Sequence, residues 1–87
     1  MIKSEFEVQN PQGLHARPAA LLCKVTSQYN SDVKFSKDGI EVNGKSVMGV
    51  MMLAAECGSR VDVFIDGEDE NVLWEKIQEL VSNNFNE

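Results

Sequence analysis

The stretch Gly-Leu-His-Ala-Arg-Pro at residues 13–18 decides how the rest of this 87-residue chain is read. It holds the only histidine of the chain, His15, two residues ahead of Arg17 and three ahead of a proline. Proline is tolerated in the first turn of a helix because its missing N–H would have no partner there. Gly13 permits backbone angles that other residues resist. The stretch therefore predicts a loop that leads into a helix beginning near His15 or Ala16.

Such a helix start favours an anion beside His15. The first N–H groups of a helix have no carbonyl partner within it, and the helix dipole places partial positive charge at that end. An anion on the His15 ring would meet the amides of Ala16 and Arg17, with the Arg17 guanidinium nearby. Neutral imidazole is nucleophilic near physiological pH, so it can accept a phosphoryl group and pass it on. The alternative is a histidine that only caps the helix, lies on the surface or is a hydrogen-bonded core group.

The composition narrows the functional classes. The formal net charge of -6 argues against nucleic acid or an anionic membrane as the partner and favours partners with basic faces. A chain of this length is expected to form one domain, residues 1–87, too small for an enclosed substrate cleft. One histidine with two distant cysteines does not form a recognisable set of metal ligands. We therefore expect a surface site without a metal.

The sequence also carries signals about compartment. The first residues lack the apolar segment of a signal peptide, and no apolar run is long enough to span a bilayer. These features predict a soluble, cytoplasmic chain without membrane insertion. Cys23 and Cys57 are accordingly expected as reduced thiols in the core and not as a disulfide. A hydrolase that uses His15 as a base is disfavoured, because no serine or cysteine nucleophile lies beside it in the sequence.

The hydrophobic pattern predicts the order strand, helix, strand, strand, short helix, strand, helix. Residues 2–8 alternate as a half-buried strand does. Ala19, Leu22, Cys23 and Thr26 recur at helical spacing and predict a helix that ends near Tyr29 or Asn30. The fold class is therefore α+β, with one sheet covered by helices on a single face. Residues 33–42 are predicted to form two strands around Asp38-Gly39, with Val33 and Phe35 facing Ile40 and Val42. A short helix over 47–55, a strand over 61–65, a last helix and a frayed segment 83–87 are expected to follow. The residues of the last helix that are predicted to be buried are Leu73, Trp74, Ile77, Leu80 and Val81.

Two motifs support a more specific interpretation. Residues 13–20 read Gly-Leu-His-Ala-Arg-Pro-Ala-Ala, and residues 45–51 read Lys-Ser-Val-Met-Gly-Val-Met. With their separation and the order of elements, they make nearly the whole chain resemble HPr, the histidine-containing phosphocarrier family of the bacterial phosphoenolpyruvate-dependent sugar phosphotransferase system. This resemblance implies an open-faced β-sandwich, in which a four-stranded antiparallel sheet of order 1-4-2-3 is covered on one face by three helices.

The resemblance also implies roles for the residues of the first motif. His15 would accept a phosphoryl group from phospho-Enzyme I on its Nδ1 atom and pass it to a sugar-specific Enzyme IIA. Arg17 would hold that phosphoryl group. A protein of this kind is a carrier and not a turnover enzyme, and it needs no cofactor. We expect this chain to be a monomer.

Ser46 in the second motif matches the serine that HPr kinase/phosphorylase phosphorylates to regulate carbon use in some members of the family. Ser46 lies where the short helix begins, so it could cap that helix, and a phosphate there would meet free amides. The added negative charge should weaken docking onto Enzyme I. The alternative is a serine that is only a cap.

Docking onto several partners requires an adaptable surface, and methionine is flexible enough to provide one. The segment 54–57, Ala-Ala-Glu-Cys, and the methionine at position 52 depart from common members of the family, which leaves the identity of the partners open. At least one methionine of the short helix is expected in the core. The partner-binding residues predicted around His15 are Ala16, Ala20, Val47, Met48, Met51 and Met52.

A second function stays open at this point. The chain could be a regulatory HPr-like module of an incomplete or nitrogen-related phosphotransferase system. Such a module would act mainly through phosphorylation-dependent protein binding, with Ser46 more important than His15.

Overall fold

The computed structural model describes residues 1–86, and its elements follow the predicted order. No helix within that range is both long enough and apolar enough to cross a lipid bilayer. The elements are β1 (Ile2–Glu7), α1 (Ala16–Thr26), β2 (Asp32–Lys37), β3 (Ile40–Asn43), α2 (Val47–Met52), β4 (Arg60–Asp66), α3 (Glu70–Ser82) and a final 3-10 segment (Asn84–Asn86).

The four strands form one antiparallel sheet with the order β1-β4-β2-β3, as predicted. Central strand β4 pairs with β1 through Phe6 opposite Val61 and with β2 through Phe35 opposite Val63. The rings of Phe6 and Phe35 meet edge to face with their centroids 6.0 Å apart. Alternation along the strands directs these apolar side chains to one face of the sheet, which the helices cover. The predicted α+β open-faced sandwich is confirmed.

The helices contribute apolar side chains to the same core. Ala19 and Leu22 of α1, Val50 of α2, and Leu73 and Ile77 of α3 have no exposed surface. Trp74 was predicted to be buried with the stripe of α3 but is only half-buried. Burial of such side chains contributes about 1.5–3 kcal/mol each, so the apolar stripes and not helix propensity hold α1 and α3 against the sheet.

The hairpin between β2 and β3 has the predicted turn. Asp38 and Gly39 both adopt positive φ, at 51° and 83°, as a two-residue hairpin requires. Phe35 pairs with Val42, which agrees with the expected facing of these residues, but Val33 faces neither Ile40 nor Val42. The two-residue turn places Lys37 opposite Ile40, so Val33 lies beyond the ladder and its carbonyl accepts from the Gly44 amide at 2.8 Å.

Two predicted helix ends are too late. Helix α1 ends at Thr26, because the amides of Gln28 and Tyr29 form hydrogen bonds that span only three residues. The Thr26 hydroxyl donates to the Gly44 carbonyl at 2.7 Å. Helix α2 ends at Met52 and not at residue 55, because Ala54 adopts a positive φ of 50°. After α2 the apolar pattern continues through residues 53–55, past the point where the helix ends.

The prediction that the C-terminal segment frays is wrong for the residues that the structure describes. Phe85 has no exposed surface and lies in the hydrophobic core, within the 3-10 segment that follows α3. The burial of this aromatic ring holds in place a segment whose polar neighbouring residues had suggested fraying. Position 87, which the prediction also included, lies outside the described residues.

The two cysteines are free thiols in different surroundings. Cys23 is buried in the core as predicted, and this burial raises the pKa of its thiol. Cys57 is exposed, so its predicted place in the core is wrong. It follows α2 in the loop that leads to β4, where no strand or helix directs its side chain inward.

Candidate functional site

His15 is the N-cap residue of α1, within the predicted helix entry. Its backbone is extended, with φ -78° and ψ -171°, and its carbonyl oxygen accepts the first helical hydrogen bond from the Ala19 amide at 3.0 Å. Its side chain is partly exposed. The imidazole is therefore not packed inside the sheet but lies at the electropositive end of an 11-residue helix.

A tight turn delivers His15 to this position. Asn10 is completely buried, and its side-chain amide donates to the Gly13 carbonyl at 2.7 Å, while the Gly13 amide donates back to the Asn10 carbonyl at 3.1 Å. Gly13 adopts a φ of +74°, which glycine adopts without steric cost. These reciprocal bonds fix the backbone two residues before His15.

The same turn is joined to the loop between α2 and β4. The Leu14 amide donates to the Ala55 carbonyl at 2.8 Å, and Leu14 is buried. A Cβ atom on Gly13 would lie 2.5 Å from the Ala55 oxygen and 3.0 Å from the Glu56 Cα atom. Position 13 therefore requires glycine for two reasons, the positive φ and the close approach of this second loop.

His15 borders a shallow cavity of about 270 Å³ between these two loops. His15 and Met51 are the sequence-predicted site residues that line it. Its other walls were missed, because neither loop has a periodic pattern that would place it beside the other. Those walls are Gln12, Leu14, Ala54, Ala55 and Glu56. Only the unusual composition of segment 54–57 pointed to this region.

The other predicted residues of α1 lie on the outside of the helix. Ala16, Arg17 and Ala20 are exposed. The Arg17 guanidinium makes no ion pair with any residue in the range 1–86. The amides of Ala16 and Arg17 have no carbonyl partner within the helix, and Pro18 has no N–H. This end of α1 thus combines two amide donors with one guanidinium.

Four exposed apolar side chains of α2 form what we call the methionine surface: Val47, Met48, Met51 and Met52. Met48 is 76% and Met52 is 68% exposed, and Met51 and Val47 are about half as exposed. The expectation that one of these methionines belongs to the core is wrong, because Val50 fills the buried position of this six-residue helix. Met51 joins this surface to the His15 cavity.

Ser46 caps α2 as the sequence indicated. Its hydroxyl accepts a hydrogen bond from the Gly49 amide at 3.0 Å. It does not line the His15 cavity, to which the opposite end of α2 contributes Met51. Ser46 therefore lies at the far end of the methionine surface, about 8 Å from Met51 along the helix axis.

The charge of helices α1 and α2 differs from that of the whole chain. Helices α1 and α2 contain no aspartate or glutamate, and the charged residues of α1 are Arg17 and Lys24. Lys45, just before α2, reaches the Tyr29 carbonyl with its ammonium group at 2.7 Å. The chain as a whole favours partners with basic faces, but these two helices favour a partner with an acidic face.

The fold and the site together define the class. A four-stranded antiparallel sheet of order β1-β4-β2-β3 under three helices presents one partly exposed histidine at the N-cap position of the first helix, on the surface of a small α+β fold. The resemblance drawn from the two motifs predicted this arrangement.

Comparison with known proteins identifies the family. The family model described as the PTS HPr component phosphorylation site matches residues 2–83. The chain is 47% identical over 87 residues to the phosphocarrier protein HPr of Xylella fastidiosa, covering all of this chain and 98% of the relative. The chain therefore belongs to the HPr family of phosphocarriers of the phosphotransferase system.

Solved structures agree with this assignment. A structure of HPr from Thermoanaerobacter tengcongensis superposes with a TM-score of 0.94 at 37% identity, covering all of this chain and 98% of the other. Crh of Bacillus subtilis, described as a catabolite repression protein in a domain-swapped dimer, gives a TM-score of 0.75 at 42% identity over 97% of each chain. Relatives with a regulatory description thus share the fold.

Proposed function

We propose that this protein carries a phosphoryl group on the Nδ1 atom of His15, accepting it from phospho-Enzyme I and passing it to Enzyme IIA. The observation that carries the proposal is the position of His15, a partly exposed imidazole at the N-terminus of α1 in the first motif of the family. A carrier must be loaded by one protein and unloaded by another, so its reactive atom has to lie at the surface.

The proposed transfer needs a nucleophile and a place for the phosphoryl oxygens. The lone pair of the neutral His15 ring attacks phosphorus, and the N–P bond forms as the bond to Enzyme I breaks. The amides of Ala16 and Arg17 and the helix dipole offset the negative charge of the phosphoryl group. The Arg17 guanidinium adds charge-assisted hydrogen bonds. Attack by a group on Enzyme IIA reverses these events and restores neutral His15.

The methionine surface and the exposed residues of α1 are the proposed docking surface for both partners. Methionine side chains adapt to different apolar surfaces, and Ala16 and Ala20 let a partner approach the helix closely. Arg17 and Lys24 favour acidic groups on the partner. We further propose that the carrier is a cytoplasmic monomer, so that its docking surface stays available to each partner in turn.

Ser46 is the proposed regulatory site for an HPr kinase/phosphorylase. Its hydroxyl is partly exposed at the edge of the methionine surface and beside Lys45. A phosphate on Ser46 adds negative charge beside Lys45 and next to two helices that contain no acidic residue, so it opposes an acidic partner. This charge effect predicts weaker docking of the phosphoserine form onto Enzyme I.

The direct test is incubation with phosphoenolpyruvate and Enzyme I. The protein should gain one acid-labile phosphoryl group, and His15→Ala should gain none. Because His15 is the only histidine of the chain, no other imidazole can replace it. Arg17→Ala should still be labelled, but more slowly. A label that persists in His15→Ala would reject the proposed carrier.

A second candidate function is regulation through phosphorylation-dependent protein binding, in an incomplete or nitrogen-related phosphotransferase system. The observation that favours it is the similarity to Crh, described as a catabolite repression protein. In this case phosphorylated Ser46 would create binding to a partner protein, and His15→Ala would leave that binding intact. Binding measured with both variants distinguishes the two candidates.

A further inference from the structure

We propose that the Glu56 carboxylate repels the phosphoryl group carried on His15 and so raises its tendency to transfer to an acceptor. This inference rests on the proposed function, because it concerns the phosphorylated form of His15. It assigns a role to a residue outside both sequence motifs.

The placement of Glu56 is the first step. Glu56 and His15 line the same cavity, although they are 41 positions apart in the chain. The Glu56 backbone contacts the turn before His15, since its Cα atom would lie 3.0 Å from a Cβ atom on Gly13. The neighbouring residue Ala55 accepts the Leu14 amide at 2.8 Å. The loop that carries Glu56 is therefore attached to the loop that carries His15.

Local hydrogen bonds hold Glu56 in this loop. Its amide donates to the Ser59 hydroxyl at 3.1 Å, and its carbonyl accepts from the Ser59 amide at 2.9 Å. These reciprocal bonds close a turn over residues 56–59 and fix the position of the Glu56 backbone. The Glu56 side chain is therefore attached at a defined position in the wall of the cavity.

The charge of Glu56 is not neutralised by a neighbour. Within residues 1–86, its carboxylate makes no ion pair, whereas Glu5, Glu41 and Glu79 each lie within 4.0 Å of a basic side chain. Its side chain is exposed. A full negative charge thus lies beside the cavity that the phosphoryl group on His15 would enter.

Repulsion acts on one state of the carrier. A phosphoryl group carries between one and two negative charges near neutral pH, whereas a neutral imidazole carries none. Glu56 therefore disfavours the loaded state and leaves the unloaded state unchanged. Coulomb energies across a cavity of this size in water correspond to about a 2- to 5-fold change in the equilibrium at low salt.

Direct competition between two carriers tests this inference. Nitrogen-15-labelled wild-type protein is phosphorylated on His15, freed of phosphoenolpyruvate and mixed with unlabelled Glu56→Gln and a trace of Enzyme I at about pH 8. Intact mass spectrometry under non-acidic conditions then reads the phosphoryl group on each carrier. At equilibrium, Glu56→Gln should hold about 2- to 5-fold more phosphoryl group than the wild type, and added salt should reduce this preference.

Two controls separate charge from structure. Glu56→Asp keeps the carboxylate and should hold about the same share as the wild type. Glu75→Gln removes one charge from α3, outside the cavity, and should also match the wild type. Equal sharing between wild type and Glu56→Gln would overturn this inference alone. A wild-type protein that Enzyme I cannot phosphorylate would overturn the proposed function and, with it, this inference.

Discussion

The amide of Leu14 donates to the carbonyl oxygen of Ala55 at 2.8 Å, which joins the loop before α1 to the loop after α2. The first loop carries His15 and the second carries Glu56. Neither loop contains a helix or strand at this point. The Leu14–Ala55 bond and the packing of Gly13 against Ala55 and Glu56 hold the two loops together. The geometry of the site therefore depends on the contacts that hold these two loops together.

Gly13→Ala should destabilise the protein and displace His15. The new Cβ atom would lie 2.5 Å from the Ala55 oxygen, in a residue whose φ of +74° already disfavours a side chain. We expect a loss of about 2 kcal/mol or more in the free energy of unfolding, measured by urea denaturation. Gly39→Ala is the matched control, because Gly39 has a φ of +83° and open space around it. That variant should lose only about 1 kcal/mol, and equal losses would contradict the role given to the Ala55 contact.

Ser46 should give opposite results with two substitutions. Ser46→Ala removes the side-chain acceptor of the Gly49 amide and should cost about 1 kcal/mol of stability while leaving phosphoryl transfer from Enzyme I intact. Ser46→Asp keeps an acceptor at the cap but adds a negative charge beside Lys45. It should keep most of the stability and raise the KM for Enzyme I several-fold at low salt. An unchanged KM in Ser46→Asp would contradict the proposal that negative charge at this position weakens docking onto Enzyme I.

Phe85→Ala should show that the end of the chain belongs to the core. Phe85 has no exposed surface, and deletion of a buried phenyl ring leaves a cavity. We expect a loss of about 3 kcal/mol in the free energy of unfolding. Val72→Ala, at a half-exposed position of α3, should change stability by less than about 0.5 kcal/mol. If both variants are equally stable, the segment frays as the sequence suggested.

Asp69 should contribute to stability in a pH-dependent manner. Hydrogen bonds from the Ser31 hydroxyl and the Asn30 amide lower the pKa of Asp69 below its usual value of 3.8. The charged form therefore stabilises the fold above that value, and this contribution is lost as the pH falls through the lowered pKa. The stability difference between wild type and Asp69→Asn should shrink when the pH falls below about 4.

Urea denaturation of both proteins between about pH 7 and pH 2 measures this difference. Asp62→Asn removes one carboxylate at an exposed position of β4 and controls for the change in net charge. A stability difference between wild type and Asp69→Asn that stays constant over the whole range would contradict the prediction.

Periodic patterns predicted the elements of the fold but not their ends. Alternation over Val61, Val63 and Ile65 identified the central strand, and Asp38-Gly39 identified the hairpin turn. At the end of α1, the Thr26 hydroxyl bonds to the carbonyl of Gly44, which is 18 positions away. A sequence pattern records which residues are apolar, but it does not record which distant carbonyl a hydroxyl will meet. The buried Phe85 escaped prediction for the same reason.

The sequence predicted those residues of the candidate site that lie in one segment, but not those that folding brings together from distant segments. His15 and Arg17 belong to one motif at a helix start, so the sequence alone placed them at that end of the helix. Glu56 reaches the same cavity through a loop that follows another helix. Only the three-dimensional approach of Leu14 to Ala55 reveals this neighbour. Membership of the family supports the proposed phosphoryl transfer at His15, and the labelling experiment tests it.

The unequal surroundings of the two cysteines offer a way to observe docking. Cys57 is exposed and adjoins Glu56 in sequence, whereas burial keeps Cys23 from solvent and raises its thiol pKa. A maleimide dye added near neutral pH should consequently attach to Cys57 first, since reaction requires an accessible thiolate. Fluorescence anisotropy of that dye would then report each encounter with Enzyme I or Enzyme IIA, without any engineered labelling position.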